Sequence, residues 1–368
     1  MKKVKKLGII LIVVAVFCTL MIALPTSQAA AKEKTFKWTG QVGYGRANGL
    51  FECAEVFTYM IEKYTDGRVK IDLHAAGEIV PGKQVFEAAR KGIIDFGQAC
   101  PCVARSKAYA AQWFCDVPGG QSPMEEIVWY YKGGGKEILE DLFHKYYNAH
   151  PLMMTAISSE IWLYSNKKLH TLDDLKGTKL RAAGMRGETL TSMGASVVVL
   201  SGGEVVPAIE RNVIDAMEFA SLNLTFPLGF CDVTKYLYMH PVKSTSPSNL
   251  WAVNLETWNK LPDDLKATIQ KAAKDSHLRS LTWGVMEDFI CLKKAIEEKG
   301  SEILFLPKEI ALAVDKAGAE LYHKKAKKNK DIARILESWE TFKKDYGKYA
   351  QWIDHFNHTG KALALSAE

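Results

Sequence analysis

Apolar positions along the chain recur with two periods, and the alternation between them predicts the fold class. Between Leu50 and Tyr64, Phe51, Ala54, Phe57, Met60 and Ile61 fall three or four residues apart, which predicts an amphipathic helix. Val69, Ile71 and Leu73 then alternate with polar residues after an Asp66-Gly67 turn, which predicts a strand. Strands are also expected over Phe36–Gly43 and Ile93–Phe96, with a helix over Gln84–Lys91 that Gly92 stops. This β-α-β-α-β order argues for an α/β body with a largely parallel sheet. The middle of the chain repeats it. Met153–Ser158, Trp162–Ser165, Lys179–Ala182, Ser196–Leu200 and Ala216–Phe219 read as extended; Gly187–Met193 and Glu204–Arg211 read as helical. The C-terminal third is mainly helical, over Pro262–Thr282, Cys291–Glu298, Lys308–Lys328 and Ile332–Phe356. We therefore expect two α/β lobes. The first comprises residues 30–155 and about 245–285, the second 156–244 and about 286–368 with the C-terminal helices.

The start of the chain changes the picture of where it works. Lys2, Lys3, Lys5 and Lys6 precede the apolar run Leu7–Leu24, and Ser27-Gln28-Ala29 offers small residues for cleavage. These three regions predict a secretory signal peptide over residues 1–29 and an exported, periplasmic mature protein. The formal charge of +6 is largely a property of that leader. Without its four lysines, 44 basic residues face 42 acidic ones, so charge gives no case for nucleic acid.

At 368 residues with 48% hydrophobic and 24% charged residues, the chain has ample apolar surface for two folded bodies. Beyond the leader it carries six cysteines, Cys53, Cys100, Cys102, Cys115, Cys231 and Cys291. An even number in an exported protein permits disulfides or buried thiols. Cys100-Pro101-Cys102 is too tight for an easy mutual bond.

Enzyme signatures are weak. Gly133-Gly134-Gly135-Lys136 lacks the first glycine and the Ser or Thr of a phosphate loop, since Tyr130 and Glu137 occupy those places. Gly43, Gly45 and Gly49 are spaced wrongly for a dinucleotide fingerprint. No nucleophile elbow and no paired-histidine zinc motif occur. We therefore expect no catalysis and no organic cofactor. Two lobes that close on a small ligand suit an exported binding protein.

Four stretches carry a resemblance. His170-Thr171-Leu172-Asp173-Asp174-Leu175-Lys176-Gly177-Thr178-Lys179-Leu180-Arg181 resembles the T-x-x-D-L-K-G-x-K-x-R segment of the solute-binding proteins of TRAP (tripartite ATP-independent periplasmic) transporters. Glu204-Val205-Val206-Pro207-Ala208-Ile209-Glu210-Arg211-Asn212-Val213-Ile214-Asp215-Ala216-Met217-Glu218 resembles their E-x-x-x-A-x-x-x-G-x-I-D-A-x-E segment. Leu228-Gly229-Phe230 with Lys235-Tyr236-Leu237-Tyr238, and Asn254, Trp258, Leu261 and Pro262, resemble stretches of the 2-oxo-acid-binding branch.

The resemblance implies a two-lobed, type II-like binding-protein fold with a hinge. It also implies a small organic acid as ligand, a 2-oxo or 2-hydroxy monocarboxylate, and a pair of membrane permease subunits as partners. Arg181 takes the place of the arginine that binds the ligand carboxylate, a role its bidentate fork suits. In the same branch a metal ion touches the ligand. Glu218 takes the glutamate position there, Phe219 stands for a tryptophan whose backbone carbonyl can serve, and Glu160 falls where a glutamine is expected. Two carboxylates would favour Ca²⁺ over Na⁺. Alternatively, Glu160 would meet a ligand amine, making the ligand an amino acid, or would face solvent or a structural partner. Tyr44, Gln98, Tyr236 and Trp251 are candidate pocket walls. A sensor on the same fold, an exported enzyme and a homodimer through the C-terminal helices remain open readings.

Overall fold

The computed structural model describes residues 34–115, 117–200, 202–240 and 247–358. The predicted signal peptide lies outside the described residues. The strands are β1 (Phe36–Val42), β2 (Val69–His74), β3 (Phe96–Ala99), β4 (Ala149–Ala156), β5 (Leu163–Ser165), β6 (Lys179–Arg181), β7 (Ser196–Val198), β8 (Ala216–Met217), β9 (Tyr236–Met239), β10 (Ser248–Asn254) and β11 (Glu302–Phe305).

They form two sheets. The first has the order β2-β1-β3-β10-β4 and the second β11-β9-β5-β8-β6-β7. Helices pack on both, so the class is α/β as expected. The sheets are mixed rather than largely parallel. β1 and β3 run parallel, but β10 lies antiparallel to both β3 and β4, and β5 lies antiparallel to both β8 and β9. The third strand begins at Phe96, not Ile93, whose side chain is 57% exposed.

The first core gathers Phe86, Phe114, Trp129, Leu139, Phe143 and Leu250. Beside it Phe96 stacks on Trp251 at 3.7 Å between ring centres, with Phe57 edge-on at 4.6 Å. Such pairs add about 0.5–1.5 kcal/mol each beyond the area they bury. The second sheet carries apolar clusters on both faces, one with Leu163, Leu180 and Leu190, the other with Tyr164, Met217 and Phe230. Helix ends are capped where the sequence supplies the residues. The Asn48 side chain accepts from Leu50 N–H, and Ser122 with Glu125 forms a reciprocal capping box.

Three long helices, Asp263–Glu297, Lys308–Ala326 and Lys330–His358, close the chain. The first runs as one helix of 35 residues where the sequence suggests a break. It buries Leu281 against Ile127 and Ala156, and Cys291 and Ala295 against the second sheet. The last helix, expected with the second lobe, buries Ile332, Ile335, Leu336 and Trp339 in the first-sheet core instead. None of the described helices is long and apolar enough to cross a membrane.

Candidate functional site

The second sheet delivers two charged residues to one point because of its register. Arg181 ends β6 and pairs with Met217 of β8, so Glu218 leaves β8 beside it. The Glu218 N–H donates to the Arg181 carbonyl at 2.9 Å. The Arg181 side chain then folds back on the same residue. Its Nη1 donates to the Glu218 carbonyl and to Glu218 Oε2, the latter at 3.2 Å, and its Nε donates to the Leu200 carbonyl at 3.3 Å.

The guanidinium carbon sits 4.7 Å from the centre of the Phe219 ring. That ring is itself backed by Gly202, where an added Cβ would meet it at 2.9 Å. Among the described residues none accepts a hydrogen bond from Nη2. Arg181 is thus clamped through Nε and Nη1, and Nη2 carries no hydrogen bond to a described residue.

Glu160 enters from the segment before β5, bridged antiparallel to Ser221. Its carboxylate is enclosed and faces Arg186, whose Nη2 lies 3.6 Å from Oε2. Arg186 Nη1 donates to the Trp162 carbonyl at 3.3 Å. Glu160, Glu218, Arg181 and Arg186 are each less than 9% exposed. Their formal charges cancel. Arg186 was not among the residues the sequence singled out; the only available signal was a second arginine one turn into the helix that follows Arg181.

Tyr44 comes from the other sheet. Its ring packs in the small cluster of Leu50, Ile157, Ala220 and Leu224 that also takes Phe219. Its hydroxyl donates to Asn249 Oδ1 at 2.9 Å and accepts from the Cys100 N–H at 3.2 Å, and burial keeps it protonated well above the usual phenol range. Tyr44, Phe219, Glu218 and Arg181 are therefore brought together.

Gln98 and Trp251 are not brought to this point. Both are fully buried, and Trp251 Nε1 donates to Gln98 Oε1 at 2.7 Å, while Gln98 Nε2 donates to the Leu50 carbonyl. They satisfy each other inside the first core instead of lining a pocket. Tyr236 begins β9, at the opposite end of the second sheet from Arg181. It lies beneath the ammonium groups of Lys168 and Lys235.

The described cysteines are all thiols. Cys100, Cys102 and Cys115 cluster beside Tyr44, with the sulfurs of Cys100 and Cys115 2.8 Å apart. Bonds from its two cysteine neighbours hold the Cys102 thiol low, aided by the charges of Arg105 and Arg181. Cys115 lies too far along the chain for spacing to have joined it to the Cys100-Pro101-Cys102 turn.

The model of the bacterial extracellular solute-binding proteins, family 7, matches residues 44–329. A monocarboxylate 2-oxoacid-binding periplasmic protein, all3028, of Nostoc sp. is 26% identical over 319 residues, 87% of this chain and 87% of its own. A TRAP transporter solute-binding protein of Bordetella bronchiseptica, a mixed-occupancy dimer with calcium and picolinate in one site, superposes with a TM-score of 0.84 at 25% identity. The match covers 91% of this chain and all of that one. A TRAP periplasmic solute-binding protein of Pseudoalteromonas atlantica with bound sodium and pyruvate superposes with a TM-score of 0.82 at 25% identity. It covers 89% of this chain and all of that one.

Proposed function

The chain belongs to the bacterial extracellular solute-binding proteins of family 7, and from that premise we propose that it captures a 2-oxo or 2-hydroxy monocarboxylate in the periplasm and delivers it to the membrane permease subunits of a TRAP transporter. The observation that carries this reading is the half-used fork of Arg181. A guanidinium held through Nε by Leu200 and through Nη1 by Glu218, and stacked on Phe219, presents its remaining N–H groups in a fixed direction. A carboxylate accepting from it forms a charge-assisted bond at little ordering cost. Tyr44 and Phe219 supply an apolar wall for the short tail of such an acid. Closure of the two sheets over the ligand would exclude water and strengthen that ion pair.

The calcium bound with picolinate and the sodium bound with pyruvate in the two similar structures support a cation in this site too. The donor types suit a hard cation: the buried carboxylates of Glu160 and Glu218 and the carbonyl of the half-buried Phe219 would supply oxygen ligands. When bound, the ion would supply positive charge to the ligand's carboxylate and 2-oxo oxygens. Arg186 alters the charge argument made from sequence. With Arg186 facing Glu160, the two glutamates no longer carry an excess of negative charge, so the preference for a divalent ion loses its ground. The reading of Glu160 as partner of a ligand amine loses its ground for the same reason, because a guanidinium already faces that carboxylate.

The test is a thermal-shift panel on protein unfolded and refolded to strip carried ligand. It includes pyruvate, lactate, dicarboxylates and amino acids, in Na⁺-free buffer with chelator and again with Ca²⁺ or Na⁺ restored. A ligand at 100 times its Kd stabilises by about 2.7 kcal/mol. A shift with pyruvate or lactate that Ca²⁺ or Na⁺ restores is the expected result. A panel in which only amino acids shift the melting point, or none does, overturns the reading.

A further inference from the structure

We propose that Cys100, Cys102 and Cys115 form a three-thiolate site for a thiophilic metal ion of the zinc class, separate from the oxygen-ligand cation site at Glu160 and Glu218. Among the described residues these three form the one group of three or more His, Cys, Asp or Glu whose ligating atoms all lie within 4.8 Å of one another. A tetrahedral zinc ion with Zn–S bonds of about 2.3 Å sets its sulfurs roughly 3.8 Å apart. The Cys100 and Cys115 sulfurs, 2.8 Å apart, would have to open by about an ångström, and all three already lie within 4.8 Å of one another.

The backbone holds the ligands where they are. Cys100 follows directly on β3, and its N–H is fixed by the Tyr44 hydroxyl. Pro101 then opens a 3-10 turn, Pro101–Ser106, whose first bond runs from the Val103 N–H to the Cys100 carbonyl at 3.0 Å and turns Cys102 back toward Cys100. Cys115 ends a second such turn, Tyr109–Phe114, with its own N–H on the Gln112 carbonyl at 3.0 Å. Only the Cys100 and Cys102 ligands are near neighbours in sequence; the fold supplies the third.

Charge points the same way. Thiolates this close repel one another, and a dication among them offsets that repulsion. Binding releases three thiol protons: Zn²⁺ and three thiols give a zinc tris-thiolate of net charge −1 and three H⁺. Soft thiolate donors select zinc-class ions over Ca²⁺ or Na⁺. Three protein ligands leave the fourth position for water, the pattern of an open site.

The test uses the mature chain, reduced with dithiothreitol under nitrogen and freed of reductant. Titration with Co²⁺ should raise a thiolate-to-cobalt charge-transfer band that saturates at one equivalent per chain and is abolished by one equivalent of Zn²⁺. Cys102→Ser should lose the band, whereas Cys53→Ser should keep it. Because a cysteine variant can fail to fold, alkylation of the unsubstituted protein gives a second readout. Zn²⁺ should protect Cys100, Cys102 and Cys115 from iodoacetamide and leave the reactivity of Cys53, Cys231 and Cys291 unchanged. A reduced protein that gives no band at stoichiometric Co²⁺ overturns the proposal. So does protection falling on other cysteines, or a Cys100–Cys115 disulfide whose reduction restores no cobalt binding. The carboxylate site at Arg181 is tested separately, by the acid panel.

Discussion

Arg186 places its Nη2 3.6 Å from Oε2 of Glu160, and the two side chains are 4% and 1% exposed. A charge pair this enclosed draws little screening from water. Its members are expensive to separate, because the survivor is left charged in a poor solvent. Arg186→Met should therefore lower unfolding stability by about 3–5 kcal/mol. Adding Glu160→Gln to it should recover most of that loss, because no bare charge then remains. Urea unfolding of the wild type, both single variants and the double variant closes the cycle. An Arg186→Met protein as stable as the wild type would remove the buried pair.

Arg181 is positioned by the same strand end but has a different task. Alanine there removes the partner of the ligand carboxylate and one partner of Glu218, whose Oε2 still accepts from the Ala183 N–H at 3.2 Å. Lysine keeps the charge but has no planar fork and cannot hold Glu218 and a ligand at once. A charge-assisted hydrogen bond contributes about 1.5–3 kcal/mol, which is roughly a 10- to 100-fold change in Kd. Calorimetry with the acid found in the panel should show that loss for Arg181→Ala, and a smaller loss for Arg181→Lys. Undiminished affinity in Arg181→Ala would transfer the anchor to another residue.

The parts of this site that were legible in the sequence are those where pattern and local structure agree. Arg181 and Glu218 were legible through the two family segments that end in them, and the register of β6 against β8 then sets them side by side. β10 shows why other parts were not. Every residue of Ser248–Asn254 is buried, because the strand has a partner on each side and a covered face above and below, so no polar alternation marks it. Gln98 misled in the opposite sense. Its amide suggests a ligand contact, yet Trp251 and the Leu50 carbonyl use its hydrogen bonds inside the core. The strand slip at Ile93 has a similar origin: the apolar Ile93-Ile94 pair looks extended, while the paired residues are Phe96, Gly97 and Gln98. Arg186 and Cys115 meet their partners only through tertiary packing, which spacing along the chain does not carry.

His277 should govern part of the acid stability. It is fully enclosed between the Ser248 hydroxyl at 3.2 Å and the Tyr131 hydroxyl at 3.3 Å, and burial pushes its pKa down to about 3. The folded state thus keeps the imidazole neutral, while the unfolded chain takes up a proton below about 6.5. Stability from this group is intact above that pH and is lost as the pH falls, by about 1.4 kcal/mol per unit per proton. Between pH 6 and pH 4, roughly, His277→Gln should flatten the slope of unfolding free energy by close to one proton. The slope is the readout, so any loss of stability common to all pH values does not confuse it. Parallel slopes in the two proteins would contradict the buried neutral histidine.

Asp288 carries the opposite sign and makes a sharper case. It sits on the long helix Asp263–Glu297 and accepts from the Asn223 N–H at 2.7 Å, which ties that helix to the segment just beyond Glu218. Burial outweighs this bond and raises its carboxyl pKa from 3.8 to about 6. The folded state therefore holds the proton more tightly than the unfolded chain. The group costs nothing below about pH 4, costs progressively more as the pH rises, and reaches its full cost above about pH 6. The shift corresponds to about 3 kcal/mol at most, and partial exposure of the side chain reduces this to an expected 1–2 kcal/mol. Asp288→Asn keeps an oxygen for the Asn223 N–H and removes the charge. It should therefore raise the melting temperature by a few degrees at pH 7.5, and the gain should vanish near pH 4. A variant that melts lower than the wild type at pH 7.5 would show that the ionised carboxylate has a partner that an amide cannot replace.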